Sequence, residues 1–189
     1  MISGAVLAGG MSRRYGRNKA VEVFRGKRLV DSAVEVLQSF CDPVFVVIND
    51  LSLYWDLPVT LIQDVLPGQG PLGGIYTALL FSPNEWVFVR ATDMPLLVPE
   101  LLLYMCEVRP GFDAVVPVFN GLHEPLFALY HRRCLAPIAS LLERGERKIV
   151  RFFPGLRVRK LQEEEWRPLD AEGLSFVNVN TPEDWGKIP

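Results

Sequence analysis

Apolar residues follow two patterns along this chain. Short uninterrupted apolar runs are typical of strands that are buried on both faces of a sheet, whereas apolar residues that recur every three or four positions are typical of helices. The runs predict strands that end at Leu7 or span Val44–Ile48, Val59–Ile62, Trp86–Ala91, Ala114–Val118, Leu126–Tyr130, Leu156–Leu161 and Phe176–Asn180. The helical spacing predicts helices over Leu29–Phe40, from Pro71 through Leu80, from Pro99 to about Val108, over Leu135–Glu143 and from Thr181. An acidic loop is expected at Glu163–Glu165.

Strands and helices alternate through the first half of the chain, and this order decides the predicted fold. Such alternation favours an α/β fold of three layers, with a mostly parallel sheet, right-handed crossovers and helices on both faces. Ligands of these sheets bind beyond the carboxyl ends of the strands, where the strand order reverses. Polar groups follow four of the predicted carboxyl ends, namely a glycine-arginine loop after Leu7, Asn49, Asp64 and Asp93. The chain has no repeat and no linker, so we expect residues 1–189 to form a single domain.

Composition excludes several classes of protein. With 49% hydrophobic residues the chain can bury a sizeable core, and its net charge of −2 gives no reason to expect nucleic-acid or membrane binding. The three cysteines are widely spaced and form no CxxC pair, which favours a reducing compartment and argues against a zinc or disulfide framework. The first strand begins close to Met1, and no apolar run reaches the ~18 residues of a membrane span. We therefore expect a cytoplasmic protein without a signal peptide.

The first strand leads directly into a glycine-rich loop that carries several cations and no acid. Gly9 and Gly10 lack a Cβ, so the backbone N–H groups can approach phosphate oxygens closely. Positive charge for a nucleoside triphosphate is then available from Arg13, Arg14, Arg17 and Lys19. The spacing fits neither a P-loop nor the G-x-G-x-x-G pattern of dinucleotide-binding proteins. The alternative is a surface turn whose arginines are only solvated.

Asp93 is the sharpest single candidate for a functional residue. It follows a buried strand, between Thr92 and the rigid Met94-Pro95 pair, where a carboxylate can hold a magnesium ion that bridges phosphate oxygens. The alternative is that Asp93 caps the next turn. His123 and Glu124 precede a later strand and are candidates for substrate contacts. Since the chain has two histidines, it contains no histidine metal triad, and no Ser-His-Asp or Cys-His set for covalent catalysis is evident.

Two further segments each have a binding interpretation and a structural one. A second glycine loop, residues 67–74, enters a helix that carries Gly73 and Gly74 in its first turn. A flat ligand such as a nucleobase or ribose explains these glycines as well as a tight crossover does. In the strand predicted at the C-terminus, Asn178 and Asn180 share one face, so their amides can together contact a polar heterocycle. The alternative is that they are turn asparagines ahead of a helix.

Together these segments resemble the molybdenum cofactor guanylyltransferases, which belong to the nucleotidyltransferase superfamily and have a Rossmann-like fold. The matching pieces span nearly the whole chain in order: Leu7-Ala-Gly-Gly10, Arg13-Arg14, Lys19, Asn49, Asp64, Gly70-Pro-Leu-Gly-Gly74, Asp93-Met-Pro95, Glu124-Pro-Leu126, Gly145-Glu-Arg147 and Phe176-Val-Asn-Val-Asn-Thr-Pro-Glu183. The resemblance favours guanine over cytosine, because related cytidylyltransferases tend to have Leu-Ala-Ala-Gly and lack the Gly-Pro-Leu segment. Two positions depart from the family pattern: Tyr15 stands where methionine is usual, and Asn18 replaces the aspartate that commonly precedes the lysine.

The resemblance implies a role for each matching residue. Arg14, Lys19 and Asp93 are expected to be catalytic, with Asp93 also binding Mg²⁺. Contacts with GTP are expected from Leu7, Ala8, Gly9, Gly10, Lys19, Asn49, Asp64, Gly70, Pro71 and Asp93. The acceptor is expected to contact Asn178, Asn180 and Arg147. The resemblance thus implies that residues 1 to about 100 bind the nucleotide and that the remaining residues bind the acceptor.

The implied reaction is the transfer of GMP from GTP to the terminal phosphate of molybdopterin, with release of pyrophosphate. The expected partners are therefore GTP and the molybdenum cofactor, with molybdoenzymes or their chaperones beyond them. Two alternatives stay open at this point. One keeps the fold but changes the acceptor to another phosphorylated compound, such as a sugar phosphate. The other is a non-catalytic nucleotide-binding adaptor that hands cofactor to apo-enzymes.

Overall fold

The computed structural model describes residues 1–9, 19–24, 26–179 and 184. Its strands are β1 (Ser3–Leu7), β2 (Val23–Phe24), β3 (Lys27–Arg28), β4 (Val44–Ile48), β5 (Thr60–Gln63), β6 (Trp86–Ala91), β7 (Ala114–Phe119), β8 (Leu122–His123), β9 (Phe127–His131) and β10 (Val158–Leu161). Its helices are α1 (Leu29–Gln38), α2 (Pro71–Phe81), α3 (Pro99–Val108), α4 (Leu135–Glu143) and α5 (Glu163–Trp166). The bounds of β4, β6 and α4 coincide with the predicted ones, and α3 begins at Pro99 as predicted.

The main sheet places its strands in the order β10-β7-β9-β6-β1-β4-β5, and β8 pairs with β7 beside them. β1 runs parallel to both of its neighbours, β4 and β6, whereas β9 runs antiparallel to β6 and β7. From β1 the chain builds outward to β4 and β5 and then returns to β6 on the other side of β1. The strand order therefore reverses between β1 and β6. Ligands of open α/β sheets bind at the carboxyl ends of the strands at such a reversal.

Helices cover both faces of this sheet, as predicted. On β6, Phe88 belongs to a core cluster shared with α1 and α3, whereas Val87 and Val89 belong to a second cluster shared with α2 and α4. This alternation follows from the two-residue period of a strand. Because both faces are covered, the strand is apolar except at Arg90. Within the described part of the chain, none of the helices has the length and apolar character needed to cross a membrane.

The prediction of a strand at Phe176–Asn180 is wrong for residues 176–179, which are the part of this segment that the structure describes. Leu174–Phe176 form a short 3-10 turn, and residues 177–179 lie outside regular secondary structure. The carboxylate of Asp170 accepts two backbone N–H groups at the start of this turn, at 2.8 and 2.9 Å, and such local bonds compete with sheet pairing. Val179 is nevertheless buried next to an exposed residue 178. The predicted inward and outward alternation does not persist, because Phe176, which would share a face with Asn178, is buried and Val177 is only partly buried.

The acidic loop predicted at Glu163–Glu165 is also wrong, because these residues begin α5. The carboxylate of Glu165 accepts the backbone N–H of Gln162 at 3.0 Å and so caps the start of the helix. Trp166 ends the helix and is fully buried. A helix of four residues with one buried side chain is too short to produce a recognisable helical period. The helix predicted from Thr181 lies outside the described residues.

Candidate functional site

The ends of three neighbouring strands form the base of the candidate site. In the sheet register Leu7 pairs with Val47 on one side and with Ala91 on the other. The segments that follow these strands therefore leave the sheet at the same edge, beside the point where the strand order reverses. These segments carry Ala8 and Gly9, Asn49, and Thr92 with Asp93. The structure thus brings together groups that the sequence predicts at carboxyl ends.

The turn after β1 is held by three hydrogen bonds. Ala8 donates its N–H to the carbonyl of Val47 at 2.9 Å, and its own carbonyl accepts the hydroxyl of Tyr54 at 2.8 Å. The side-chain amide of Asn49 donates to the carbonyl of Gly9. A Cβ at Gly9 would lie 2.8 Å from Nδ2 of Asn49, so a larger residue at position 9 would displace this amide. Asn49 therefore supports the loop that the sequence predicts to bind phosphate.

The second glycine loop is fixed by Asp64. One carboxylate oxygen of Asp64 accepts the hydroxyl of Thr77 at 2.7 Å and the N–H of Leu66 at 3.0 Å. A Cβ at Gly73 would lie 2.9 Å from the carbonyl oxygen of Leu66, and one at Gly74 would lie 3.3 Å from the side chain of Leu7. The close approach of the Leu66 backbone thus accounts for Gly73, as in the crossover interpretation of the sequence, whereas Gly74 meets only the end of a side chain.

Gly70 and Pro71 form the entrance to α2. Gly70 has a φ of 66°, a left-handed conformation that glycine adopts without strain. Pro71 occupies the first helical position, as the sequence predicts. Arg147 reaches this loop from the segment after α4, since its Nε donates to the side-chain carbonyl of Gln69 at 3.2 Å. The predicted contact of Arg147 with the acceptor stays a prediction.

Asp93 lies two residues beyond β6 and is partly buried. Its backbone carbonyl accepts the N–H of Val179 at 2.8 Å. The neighbouring Asn178 is exposed, and its amide donates to the carbonyl of Phe176 at 3.3 Å. The residue predicted to hold a metal and one residue predicted to hold the acceptor therefore belong to two segments that are bonded to each other.

Glu124 places a second carboxylate close to Asp93. The carbonyl of Leu126 accepts the N–H of Ala91 at 3.0 Å, which sets the 124–126 turn against the end of β6. Burial and the negative charge of Asp93 raise the pKa of Glu124 to about 7. Two carboxylates at one edge repel each other unless one is protonated or a cation lies between them. This electrostatic relation was not foreseen from the sequence, which marks Glu124 only as a candidate for substrate contact.

The donor set suits a hard cation that keeps part of its own hydration shell. Among the described residues no three His, Cys, Asp or Glu side chains cluster as a metal cage. Magnesium in proteins is commonly bound by one or two carboxylates, waters and substrate phosphates. Asp93, with Glu124 nearby, fits that pattern. The ring of His123 packs edge-on against Phe153 at 5.6 Å between centroids, and its contact with a substrate stays a prediction.

Several predicted site residues lie outside the described residues: Gly10, Arg13, Arg14, Arg17 and Asn180. Lys19 begins a 3-10 turn that ends at Val21, and its side chain is not described. Their contacts with a nucleotide or acceptor stay predictions. Two residues of the site were missed by the sequence reasoning. Tyr54 supports Ala8 from a fully buried position, and Arg90 donates to the carbonyl of Met94, the residue after Asp93. An arginine inside an apolar run was the one sequence signal for Arg90.

A glycine turn and a partly buried carboxylate at the edge where an α/β sheet reverses its strand order are typical of nucleotide-binding proteins of the α/β class. Comparisons with known proteins identify the family within this class. The family model of the MobA-like NTP transferase domain matches residues 4–163. The chain belongs to this family and is a nucleotidyltransferase, as the sequence resemblance indicated.

Full-length relatives agree with this assignment. A probable molybdenum cofactor guanylyltransferase of Chloroflexus aggregans is 36% identical over 97% of this chain and 91% of its own length. The molybdenum cofactor guanylyltransferase of Desulfosudis oleivorans is 34% identical, covering 98% and 93%. The crystal structure of molybdopterin-guanine dinucleotide biosynthesis protein A from Archaeoglobus fulgidus superposes with a TM-score of 0.85 at 31% identity, covering 98% and 96% of the two chains. The predicted Rossmann-like nucleotidyltransferase fold is confirmed.

Proposed function

We propose that this chain transfers GMP from GTP to the terminal phosphate of molybdopterin, which forms the guanine dinucleotide cofactor and releases pyrophosphate. The names of its full-length relatives support this reaction over transfer to a sugar phosphate. The observation that carries the proposal is the meeting of the Ala8-Gly9 turn with Asp93 at the strand-order reversal. A triphosphate bound across this edge would lie between the N-terminal loop and the carboxylate.

The nucleotide side of the proposal uses the first half of the chain. The turn from Leu7 to Gly10 would receive the phosphates through backbone N–H groups, with Arg14 and Lys19 as cations for the leaving pyrophosphate. The base and ribose would lie along the edge formed by Asn49, Asp64, Gly70 and Pro71. Asn49 and Asp64 are already bonded within the protein, so they preorganise the two loops as well as border the ligand.

The chemistry requires positioning more than acid–base catalysis. An oxygen of the acceptor phosphate attacks the α-phosphorus of GTP, and the bond from that phosphorus to the bridging oxygen breaks with its electron pair leaving on pyrophosphate. A phosphate is already ionised at neutral pH, so no strong base is needed. The protein aligns the attack and offsets the growing negative charge. Asp93 would hold a divalent cation, Mg²⁺ in our proposal, which supplies positive charge against the phosphate oxygens when bound.

The acceptor side would be formed by residues from about 101 onward. Asn178 and Asn180 would contact the pterin, and Arg147 would contribute charge to the acceptor from the loop after α4. The substrates in this proposal are GTP and molybdopterin or the molybdenum cofactor. Molybdoenzymes or their chaperones would receive the product in the cytoplasm, and neither nucleic acid nor a membrane takes part.

The test is a transfer assay with the purified chain. GTP labelled at the α-phosphate should pass its label to molybdopterin, whereas GTP labelled at the γ-phosphate should release it as pyrophosphate. CTP in place of GTP, and a sugar phosphate in place of molybdopterin, serve as controls. Equal transfer from CTP, or transfer to the sugar phosphate alone, would contradict the proposal.

A further inference from the structure

Arg90 is a buried arginine in the strand that leads to Asp93. It lies on β6, directly opposite Val6 on β1 and Phe127 on β9. Its side chain is fully buried. Burial lowers its pKa to about 9, so the guanidinium remains positively charged at neutral pH. A charge at such a position is costly unless it is well bonded.

The guanidinium is bonded to the turn that carries Asp93. Nη2 of Arg90 donates to the carbonyl of Met94 and, at 2.9 Å, to the carbonyl of Leu96. These carbonyls lie on either side of Pro95, which has no N–H of its own to stabilise the turn. Arg90 therefore ties the middle of the 92–98 turn to the strand beneath it.

Core stability alone does not explain an arginine here. Nε and Nη1 of Arg90 are buried and have no hydrogen-bond partner among the described residues. Unpaired buried donors are unfavourable, and replacing a buried charge by an apolar side chain of similar volume is often neutral or stabilising. What the arginine provides, and an apolar residue does not, is the bond to two carbonyls of the turn.

The rest of the turn is held from the C-terminal segment. Val179 donates its N–H to the carbonyl of Asp93 at 2.8 Å, and Val98 donates its N–H to the hydroxyl of Ser175 at 2.9 Å. These two bonds hold the ends of the 92–98 turn, whereas Arg90 holds its centre. The three contacts together leave the turn little freedom to reorient the Asp93 carboxylate.

We infer that Arg90 is a positioning residue for the transfer reaction: by binding the carbonyls of Met94 and Leu96, it fixes the turn that aims Asp93 at the nucleotide. This inference rests on the role of Asp93 in the proposed function. Supporting residues around a metal ligand typically contribute about 10- to 100-fold in metal affinity or activity. Loss of the Arg90 bonds should therefore impair cation binding and turnover without unfolding the protein.

The test compares Arg90→Met with Arg132→Met. Nη2 of Arg132 donates to the carbonyl of Ser82 at 2.7 Å near the amino end of β6, so the control loses the same kind of bond away from the site. Hydrogen exchange of the 92–98 turn and Mn²⁺ binding by electron paramagnetic resonance, with GTP present, are measured beside transfer kinetics. We expect exchange at the turn to accelerate, Mn²⁺ affinity to fall about 10-fold or more, and kcat to fall in Arg90→Met only. Arg90→Lys keeps the charge but lacks the guanidinium, and should give an intermediate result.

Unchanged exchange and Mn²⁺ affinity in Arg90→Met, relative to Arg132→Met, would overturn the inference. Loss of cooperative unfolding in both Arg90 variants would overturn it as well, because Arg90 would then be a core-stabilising residue. Failure of the proposed function has a different signature. In that case the parent protein itself would transfer no GMP, whereas the exchange difference between the variants would persist.

Discussion

The backbone N–H of Val179 donates to the backbone carbonyl of Asp93 at 2.8 Å. This bond joins the C-terminal segment, where the acceptor is proposed to bind, to the turn after β6, where the cation is proposed to bind. The two halves of the proposed reaction are thus connected through main-chain atoms. Movement of either segment would change the distance between the acceptor and the nucleotide, and effective attack depends on that distance.

Asp93→Asn should remove catalysis and leave the fold intact. Asparagine has the shape of aspartate but lacks its charge, and Asp93 is only partly buried. We expect kcat for GMP transfer to fall on the order of 10²-fold or more, with thermal unfolding close to that of the parent. Glu164→Gln, an exposed neutralisation on α5, is the matched control. Turnover of Asp93→Asn near the parent value would rule out the cation-binding role.

Gly9→Ala should act through Asn49. The new Cβ would lie 2.8 Å from Nδ2 of Asn49 and push away the amide that donates to the carbonyl of residue 9. Loss of this hydrogen bond should lower the free energy of unfolding by about 1 kcal/mol. A double-mutant cycle with Asn49→Ala, followed by urea denaturation, measures the coupling. If the two substitutions are additive, the close approach of the two residues does not explain the glycine.

The sequence predicts structural features that depend on a periodic pattern of residues, and it does not predict those that depend on a single contact. It predicts both ends of β6 and the start of α3, because a doubly covered strand is apolar throughout and a proline marks the helix start. It predicts that Asp93 lies at a carboxyl end. It does not predict the link to Val179, because the Asp170 carboxylate replaces the expected strand by a turn. Nor does it predict the hydrogen bonds of Arg90, because their acceptors lie in the 92–98 turn, where the residues follow no periodic pattern.

Gly73→Ala and Gly74→Ala should separate two kinds of tight contact on α2. Alanine in place of glycine gains up to ~1 kcal/mol of helix propensity at both positions. At Gly73 the new Cβ would lie 2.9 Å from the backbone carbonyl oxygen of Leu66, which has little room to move, whereas at Gly74 it would meet the end of the Leu7 side chain at 3.3 Å. We therefore expect Gly73→Ala to be destabilised by about 1–3 kcal/mol and Gly74→Ala to be close to neutral.

Urea denaturation of the two alanine variants checks this order. Each variant serves as the control for the other, because both make the same chemical change in the same turn of the helix. Equal stabilities would contradict the account of Gly73 as a site of close backbone approach. GMP transfer should follow the same order, since displacement of Leu66 disturbs the loop that Asp64 holds.

Asp113→Asn should weaken the protein at neutral pH and change its response to acid. The buried Asp113 carboxylate binds Nε of Arg133 at 2.5 Å and both the backbone and side chain of Arg157, the latter at 3.1 Å from Nη2. The bonds to Arg157 and Arg133 hold the pKa of Asp113 well below its usual range, against the opposing effect of burial. Because both arginines are about half exposed, solvent screens the pairs, and we expect the variant to lose about 2 kcal/mol.

The pH dependence follows from the sign of that shift. A carboxylate whose pKa is depressed by folding stabilises the folded state above its unfolded pKa of about 3.9, and this contribution is lost as the pH falls further toward the folded pKa. The difference in unfolding free energy between parent and Asp113→Asn should be constant from about pH 5 to 7 and should shrink below about pH 4. Urea denaturation at pH 7, 4 and 3 measures it, with Glu164→Gln, an exposed carboxylate on α5, as the control. A difference that does not change with pH would show that the Asp113 charge does not contribute to this acid sensitivity.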